Sequence, residues 1–256
     1  MTMKEDYVPN STKTNTSKRC PIVLCLDISP SMSVNNRIEN LNKAVGVLLN
    51  ELEKDPKAKN CAEIAVVTFS TEVNIENNGL FEMTGYWRGK KFIPVEHGGT
   101  NMSSAVLKSI ELVKNRLEEL DNDNIENYIP FLVLVTDGDP CETDNKQTQE
   151  MAISTVNYHC TNHPLIAPFV VGVGEQVAED LLDRYAEKFT RKAIILDSEN
   201  QDVEFKELFS FIGNSIKDSL NGEDDLGRLY DRIRGAVNKE ANRIDEIRKN
   251  RKHKRM

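Results

Sequence analysis

The sequence predicts an α/β protein with a Rossmann-like, doubly wound and mainly parallel sheet that is flanked by helices. Short apolar runs alternate with segments in which apolar residues recur every three or four positions. The apolar runs are nearly continuous, which is typical of strands covered on both faces. Such an alternation indicates βαβ units with right-handed crossovers. Two of the runs end in aspartate, at Asp27 and Asp137. Ligands of these sheets lie beyond the carboxyl ends of the strands.

Each element follows from its own pattern. Strands are expected at 20–28, 62–70, 128–137, 165–174 and 192–196. Helices are expected at 36–54, 103–119, 146–158, 178–189 and 202–220. In the first helix the apolar residues Ile38, Leu41, Val45, Leu48, Leu49 and Leu52 recur at helical spacing. The segment 73–95 carries three glycines and is expected to be an irregular edge region or a hairpin.

Composition and charge divide the chain into three parts: a polar lead at 1–19, one domain at 20–220 and a basic tail at 221–256. Residues 226–256 carry a net charge of +7 and the remainder −15, which gives −8 for the 256 residues. An acidic body argues against general nucleic-acid binding. Apolar residues at helical spacing predict an amphipathic C-terminal helix: they are Leu226, Leu229, Tyr230, Ile233, Val237, Ile244 and Ile247. This helix would pack on the acidic body, fray at its end, or dock on a partner. Nucleic acid is a less favoured ligand of its basic end.

The cysteines and the ends of the chain indicate a soluble, cytoplasmic protein. Five cysteines, an odd number, are expected to be reduced, with Cys25 and Cys61 in strand-like runs. The first nineteen residues lack the apolar segment of a signal peptide, and no apolar run is long enough to span a membrane. His159, Cys160 and His163 have a spacing that resembles half of a zinc site, but the second pair of ligands is missing.

Carboxylates and hydroxyls are expected to gather at the carboxyl edge of the sheet. Asp27 begins the pattern Asp-x-Ser-x-Ser, which also places Ser29 and Ser31 in the first loop. Thr100 follows two glycines at the entrance to a helix, and Asp137 follows a later strand. Oxygen-only ligands suit a hard divalent cation, with Mg²⁺ as the first choice and Mn²⁺ or Ca²⁺ as alternatives.

The charges of these ligands predict what the cation would bind. Two carboxylates and three hydroxyls would at most neutralise a divalent ion, and an open coordination position would attract an anionic oxygen. An acidic side chain of a partner protein fits that position. Asp139 would weaken this attraction if it lay close by, but a solvated loop position is the simpler interpretation of that residue.

These motifs resemble the von Willebrand factor A (VWA) domain and its metal-ion-dependent adhesion site. The matching residues are Asp27, Ser29, Ser31, Thr100 and Asp137, in the family's order. The resemblance extends over about 20–220, and implies the VWA fold, a bound Mg²⁺ and a protein–protein interaction module without enzymatic activity. In having a compact single domain and no signal peptide, the chain resembles bacterial intracellular members of the family. Those members are associated with tellurite resistance and stress responses. Partners of such members would include phosphatase or kinase effectors.

Other interpretations remain open at this point. A metal-dependent hydrolase or phosphotransferase could use the same acidic residues, although the sequence has no P-loop and no evident base beside Ser29 or Ser31. The protein could instead be a scaffold that docks through its C-terminal helix. Asp27 could be a helix cap or a core carboxylate bonded to backbone amides. Tyr86 and Trp87 could lie on an exposed hairpin near the metal site or pack locally.

Overall fold

The structure is a computed structural model that describes residues 15–138, 144–174, 177–196 and 201–221, together with 235, 239, 242–244 and 246. Its strands are β1 Cys20–Asp27, β2 Ala62–Phe69, β3 Val73–Ile75, β4 Glu82–Met83, β5 Phe131–Thr136, β6 Ala167–Val173 and β7 Ile194–Leu196. Its helices are α1 Arg37–Lys54, α2 Pro56–Cys61, α3 Thr84–Trp87, α4 Met102–Asn122, α5 Lys146–His159, α6 Glu179–Ala186 and α7 Gln201–Asn221. Short 3-10 helices cover Pro30–Asn36 and Glu76–Gly79.

The sheet is mainly parallel and has β1 near its centre. The strand order is β3-β2-β1-β5-β6-β7, and β4 pairs with β2 beside β3. The pairings among β2, β1, β5, β6 and β7 are all parallel, whereas β3 and β4 are antiparallel to β2. Every residue of β1, β2, β5 and β6 is buried, which explains why these strands appear as continuous apolar runs in the sequence. The predicted α/β class and doubly wound sheet are therefore confirmed.

The helices form two packed groups. Helix α1 packs against α2, α3 and α7, while α5 packs against both α4 and α6. The six apolar residues that predicted α1 are all buried in the core. Where α1 meets α7, Gly213 lies so close to α1 that an added Cβ would stand 2.9 Å from the Cβ of Glu51. The two helices are thus in close contact along their shared face.

One local prediction needs correction, and the structure decides between two open alternatives for another residue. Cys61 does not lie in a strand: it is the last residue of α2, a helix that Asp55 caps by accepting hydrogen bonds from the backbone N–H groups of Lys57 and Ala58. Trp87 is not on an exposed hairpin near the metal site. It is buried in α3, and its indole N–H donates to the carbonyl of Ile64, near the beginning of β2. The local-packing alternative is the one that the structure shows.

Most of the basic tail lies outside the described residues. Where it is described, Ile244 is buried and Arg243 lies 3.4 Å from Glu207 of α7, so these residues pack on the body. Asp139 and Cys141 also lie outside the described part, and the other four cysteines are buried thiols. Among the described helices, none combines the length and the apolar character needed to cross a membrane.

Candidate metal site

The two aspartates that end strand-like runs lie on neighbouring strands. Asp27 is the last residue of β1, and Asp137 follows β5 directly. Strands β1 and β5 are paired in parallel, so both carboxylates reach the same edge of the sheet. Both aspartates are buried, and a buried carboxylate needs hydrogen bonds or a counter-ion.

Asp27 is held by one hydrogen bond on each carboxylate oxygen. Oδ1 accepts from the backbone N–H of Ser29 at 2.8 Å, and Oδ2 accepts from the hydroxyl of Thr136 at 2.6 Å. Burial raises the pKa of Asp27 to about 6, and the nearby charge of Asp137 adds to this, although the hydrogen bonds from Ser29 and Thr136 oppose it. Asp27 is thus a buried carboxylate that accepts from a backbone amide, as the alternative interpretation expected. It also lies at the candidate metal site.

Ser29, Ser31 and Asp137 form a continuous chain of short hydrogen bonds. The hydroxyls of Ser29 and Ser31 lie 2.9 Å apart, and the Ser31 hydroxyl donates to Oδ1 of Asp137 at 2.7 Å. Pro30 lies in the first turn of the 3-10 helix, and Ser29 before it is extended, with φ −60° and ψ 161°. This backbone directs both hydroxyls to the same side of the loop.

Thr100 arrives from a third loop, which the turn after β2 holds in place. The Thr71 hydroxyl accepts from the backbone N–H of Gly99 at 2.6 Å, and the Ser70 carbonyl accepts from that of Asn101 at 2.6 Å. Gly98 has a φ of +145°, and a Cβ there would stand 2.9 Å from the Thr71 hydroxyl, so this position requires glycine. Thr100 itself is buried.

The backbone beside Asp137 brings the Thr100 and Ser31 hydroxyls into one neighbourhood. A Cβ on Gly138 would lie 3.3 Å from Thr100 Oγ1 and 4.0 Å from Ser31 Oγ. All five residues singled out in the sequence are therefore gathered at the carboxyl edge of the sheet. They offer only oxygen donors, and this donor set fits a hard divalent cation.

Arg37 is a member of this cluster that sequence reasoning missed. Its Nη1 donates to Oδ2 of Asp137 at 2.5 Å and lies 3.5 Å from the Ser31 carbonyl. The guanidinium also lies against Gly174, where a Cβ would stand 2.5 Å from Nη2. One signal was present in the sequence: a cation in the first turn of a helix opposes the helix dipole and therefore implies a specific partner.

Thr136 was also missed as a site residue, although it directly precedes Asp137 at the end of β5. Its hydroxyl donates to Asp27 and lies 3.4 Å from the backbone N–H of Gly138, so it joins the two strand ends. Its position at the end of an apolar run, directly before Asp137, could have indicated this role, because a buried hydroxyl needs a hydrogen-bond partner.

The other candidate ligands lie elsewhere or take other partners. The Nδ1 of His159 lies 3.0 Å from the Pro164 carbonyl, and His97 is exposed. Within the described residues, no three side chains of His, Cys, Asp and Glu come together as a metal cluster. A cation at the carboxyl edge would therefore depend on serine and threonine hydroxyls as well as on the two aspartates.

The comparisons with known proteins agree with this architecture. A family model described as the von Willebrand factor type A domain matches residues 22–210. The comparison with curated proteins found no match.

Several solved structures share the fold. The PilB minor pilin from Streptococcus sanguinis is similar with a TM-score of 0.56 and 15% identity, over 80% of this chain and 62% of the pilin. The von Willebrand factor domain of the type V pili tip protein Mfa5 from Porphyromonas gingivalis is similar with a TM-score of 0.54 and 10% identity. The match covers 82% of this chain and 98% of that domain.

Another similar structure is proximal thread matrix protein 1 from the mussel byssus. Its metal-ion-dependent adhesion site (MIDAS) motif is occupied by zinc. This structure gives a TM-score of 0.51 and 15% identity, over 77% of this chain and 48% of the other. The chain thus spans about half to three fifths of the pilin and the byssus protein. At these identities the likeness establishes the fold.

Proposed function

Because the chain belongs to the von Willebrand factor type A domain family, we propose that it is a metal-dependent protein-interaction module. The ion would be held by Asp27, Ser29, Ser31, Thr100 and Asp137, with Mg²⁺ as the first choice. An acidic side chain of a partner protein would complete its coordination. The observation that carries this proposal is the chain of short hydrogen bonds that joins Ser29, Ser31 and Asp137 across two strands.

The protein's own residues would act as a preorganised cradle. Thr136 and the backbone of Ser29 orient the carboxylate of Asp27, and the loop after β2 fixes Thr100. A divalent ion would supply a positive centre that binds a carboxylate oxygen. Zinc occupies the MIDAS motif of the byssus protein, so Zn²⁺ is a further candidate ion for this chain beside Mg²⁺ and Mn²⁺.

A binding role accounts for the described contacts better than a catalytic one. The hydroxyls of Ser29 and Ser31 bond to each other, and that of Ser31 donates to Asp137; within the described residues neither contacts a histidine that could act as a base. A nucleophilic serine needs such a base within hydrogen-bond reach. These contacts favour a binding module. From the resemblance to intracellular family members we propose that it acts in a bacterial stress or signalling assembly in the cytoplasm, with protein effectors as partners.

Peptide selection tests the proposed function even while the partner is unidentified. A random peptide library is selected on the Mg²⁺-loaded protein, and the bound peptides are eluted with EDTA. We expect the eluted peptides to be enriched in aspartate and glutamate, and to lose binding to the Asp27→Ala variant. Asp123→Ala, which removes an exposed carboxylate at the end of α4, is the matched control and should bind as the wild type does. Failure of EDTA to release any bound peptide, or released peptides that bind Asp27→Ala as well as the wild type, would contradict the proposal.

The scaffold alternative makes a different prediction. If the C-terminal helix is the docking element, truncation after Leu220 should abolish peptide binding while Mg²⁺ binding persists. If the metal site is the docking element, the truncated protein should still bind the selected peptides. The contact of Arg243 with Glu207 favours packing of the tail on the body, and therefore favours the metal site.

A further inference from the structure

Resting on the proposed function, we propose that Arg37 is a second, covalently tethered cation of the metal site. It leaves the site with a net positive charge once a divalent ion is bound. The site would then hold its metal less tightly than the two carboxylates alone would allow, and would bind it more tightly when a partner supplies an anionic group.

Arg37 bonds to the carboxylate oxygen of Asp137 that Ser31 does not contact. Ser31 donates to Oδ1 of Asp137, and Arg37 donates to Oδ2. Both oxygens of this carboxylate are thus engaged before any metal binds. A guanidinium stays protonated at all physiological pH values, so its charge is permanent.

The fold also provides a specific place for the guanidinium. Asn35 and Asn36 both adopt positive φ, at 54° and 56°, and this turn begins α1 with Arg37 facing the site. Gly174, at the end of β6, has a φ of +104° and leaves the space that the guanidinium fills. The Arg37 side chain is only 13% exposed, and its buried Nε has no hydrogen-bond partner among the described residues.

A side chain placed in this way would not leave when a metal binds. Its confinement between α1, Gly174 and Asp137 keeps one positive charge beside the cation. The two charges of a divalent ion are matched by the carboxylates of Asp27 and Asp137, so Arg37 leaves one positive charge in excess. This charge balance covers the described residues alone, and Asp139 and Glu175 lie outside them.

Electrostatics then predicts opposite effects on the metal and on its anionic ligand. Like charges a few ångströms apart repel each other at an effective dielectric constant well below that of water. Removing the guanidinium charge should therefore raise the affinity of the site for the metal. It should also reduce the gain in metal affinity that an added carboxylate gives. A merely structural arginine would produce neither change.

The test measures Mg²⁺ affinity by calorimetry in the full-length wild type and in the variants Arg37→Gln, Arg37→Lys and Asp27→Ala. Each titration is run in chloride and in acetate buffer of equal ionic strength, with acetate as the carboxylate probe. We expect Arg37→Gln to bind Mg²⁺ at least about tenfold more tightly than the wild type in chloride. Acetate should tighten Mg²⁺ binding in the wild type and do so less in Arg37→Gln. Arg37→Lys keeps the charge and should behave as the wild type does.

Two controls keep the result interpretable. Arg88→Gln removes an exposed arginine that pairs with Glu53 away from the site, and should change nothing. If Arg37→Gln is too unstable in chelator for calorimetry but still shows an unfolding transition, the shift of its thermal midpoint on adding Mg²⁺ replaces calorimetry, because a ligand that binds the folded state stabilises it. A larger shift than in the wild type supports the proposal.

The outcomes separate this inference from the proposed function. If Mg²⁺ binding is lost in Asp27→Ala but is equal or weaker in Arg37→Gln, the role of Arg37 is refuted and the metal site stands. If neither the wild type nor Arg37→Gln binds Mg²⁺ in either buffer, both proposals fail. Tighter Mg²⁺ binding in Arg37→Gln than in the wild type and in Arg37→Lys supports the metal site and the role of Arg37.

Discussion

The Ser31 hydroxyl donates a 2.7 Å hydrogen bond to the carboxylate of Asp137, across 106 positions of sequence. One residue comes from the loop after β1 and the other from the end of β5. The parallel pairing of these two strands makes the contact, since it brings both carboxyl ends to the same edge of the sheet. The candidate metal site therefore depends on the central strands and not on a single flexible loop.

The raised pKa of Asp27 predicts a pH-dependent stability in metal-free protein. Because burial lifts this pKa from 3.8 to about 6, the folded state binds more protons than the unfolded state between these pH values. The stability contributed by this group is thus fully present below pH 3.8 and is lost as pH rises through about 6. Urea denaturation in EDTA should show this loss, on the order of 3 kcal/mol, in the wild type relative to Asp27→Asn. Parallel pH profiles of the two proteins would contradict the prediction.

Glu63, near the amino-terminal end of β2 and away from the candidate metal site, should be essential for the stability of the protein. Its buried carboxylate accepts from Nε and Nη2 of Arg116 at 2.7 and 2.8 Å, and lies 3.6 Å from the buried Arg19. Glu63→Gln leaves two arginines without that charge, and should lower the free energy of unfolding by about 3–5 kcal/mol. The matched control is Glu119→Gln, which breaks a pair between Arg116 and a 63% exposed carboxylate and should cost less than about 1 kcal/mol. Urea denaturation of both variants compares them, and equal losses would refute the distinction.

Two glycines in α1 and α7 should respond to alanine in opposite directions. Gly213→Ala places a Cβ 2.9 Å from the Cβ of Glu51, which forces the helices apart and should cost about 1–3 kcal/mol. Gly46 has nothing within 4 Å of the added Cβ, so Gly46→Ala should instead stabilise the protein by about 0.5–1 kcal/mol through helix propensity. Thermal midpoints of the two variants check this, and a loss in both would contradict it.

Much of the fold could be predicted because its buried strands leave a direct mark on the sequence. Strands β1, β2, β5 and β6 are covered on both faces, so their residues are apolar almost without interruption. Helix α2 was missed although Asp55 and Pro56 form a cap followed by proline, a standard helix start. A six-residue helix has too few turns to show a periodic pattern.

The site was predictable to the extent that its residues follow strand ends. Asp27 and Asp137 mark the ends of β1 and β5, and neighbouring parallel strands must bring their carboxyl ends together. Arg37 could not be placed in the same way, because its contacts with Asp137 and Gly174 depend on where α1 begins relative to the ends of β5 and β6. The position of Trp87 likewise depends on the pairing of β4 with the beginning of β2.

The most direct test of the central claim is calorimetric titration of Mg²⁺ and Mn²⁺ into chelator-stripped protein, with wild type, Asp27→Ala, Thr100→Ala and the control Asp123→Ala compared. The account predicts one binding site per chain in the wild type and in Asp123→Ala, and no binding in Asp27→Ala or Thr100→Ala. Folded Asp27→Ala and Thr100→Ala proteins that bind these ions as tightly as the wild type would show that the metal is held elsewhere, and would contradict the account.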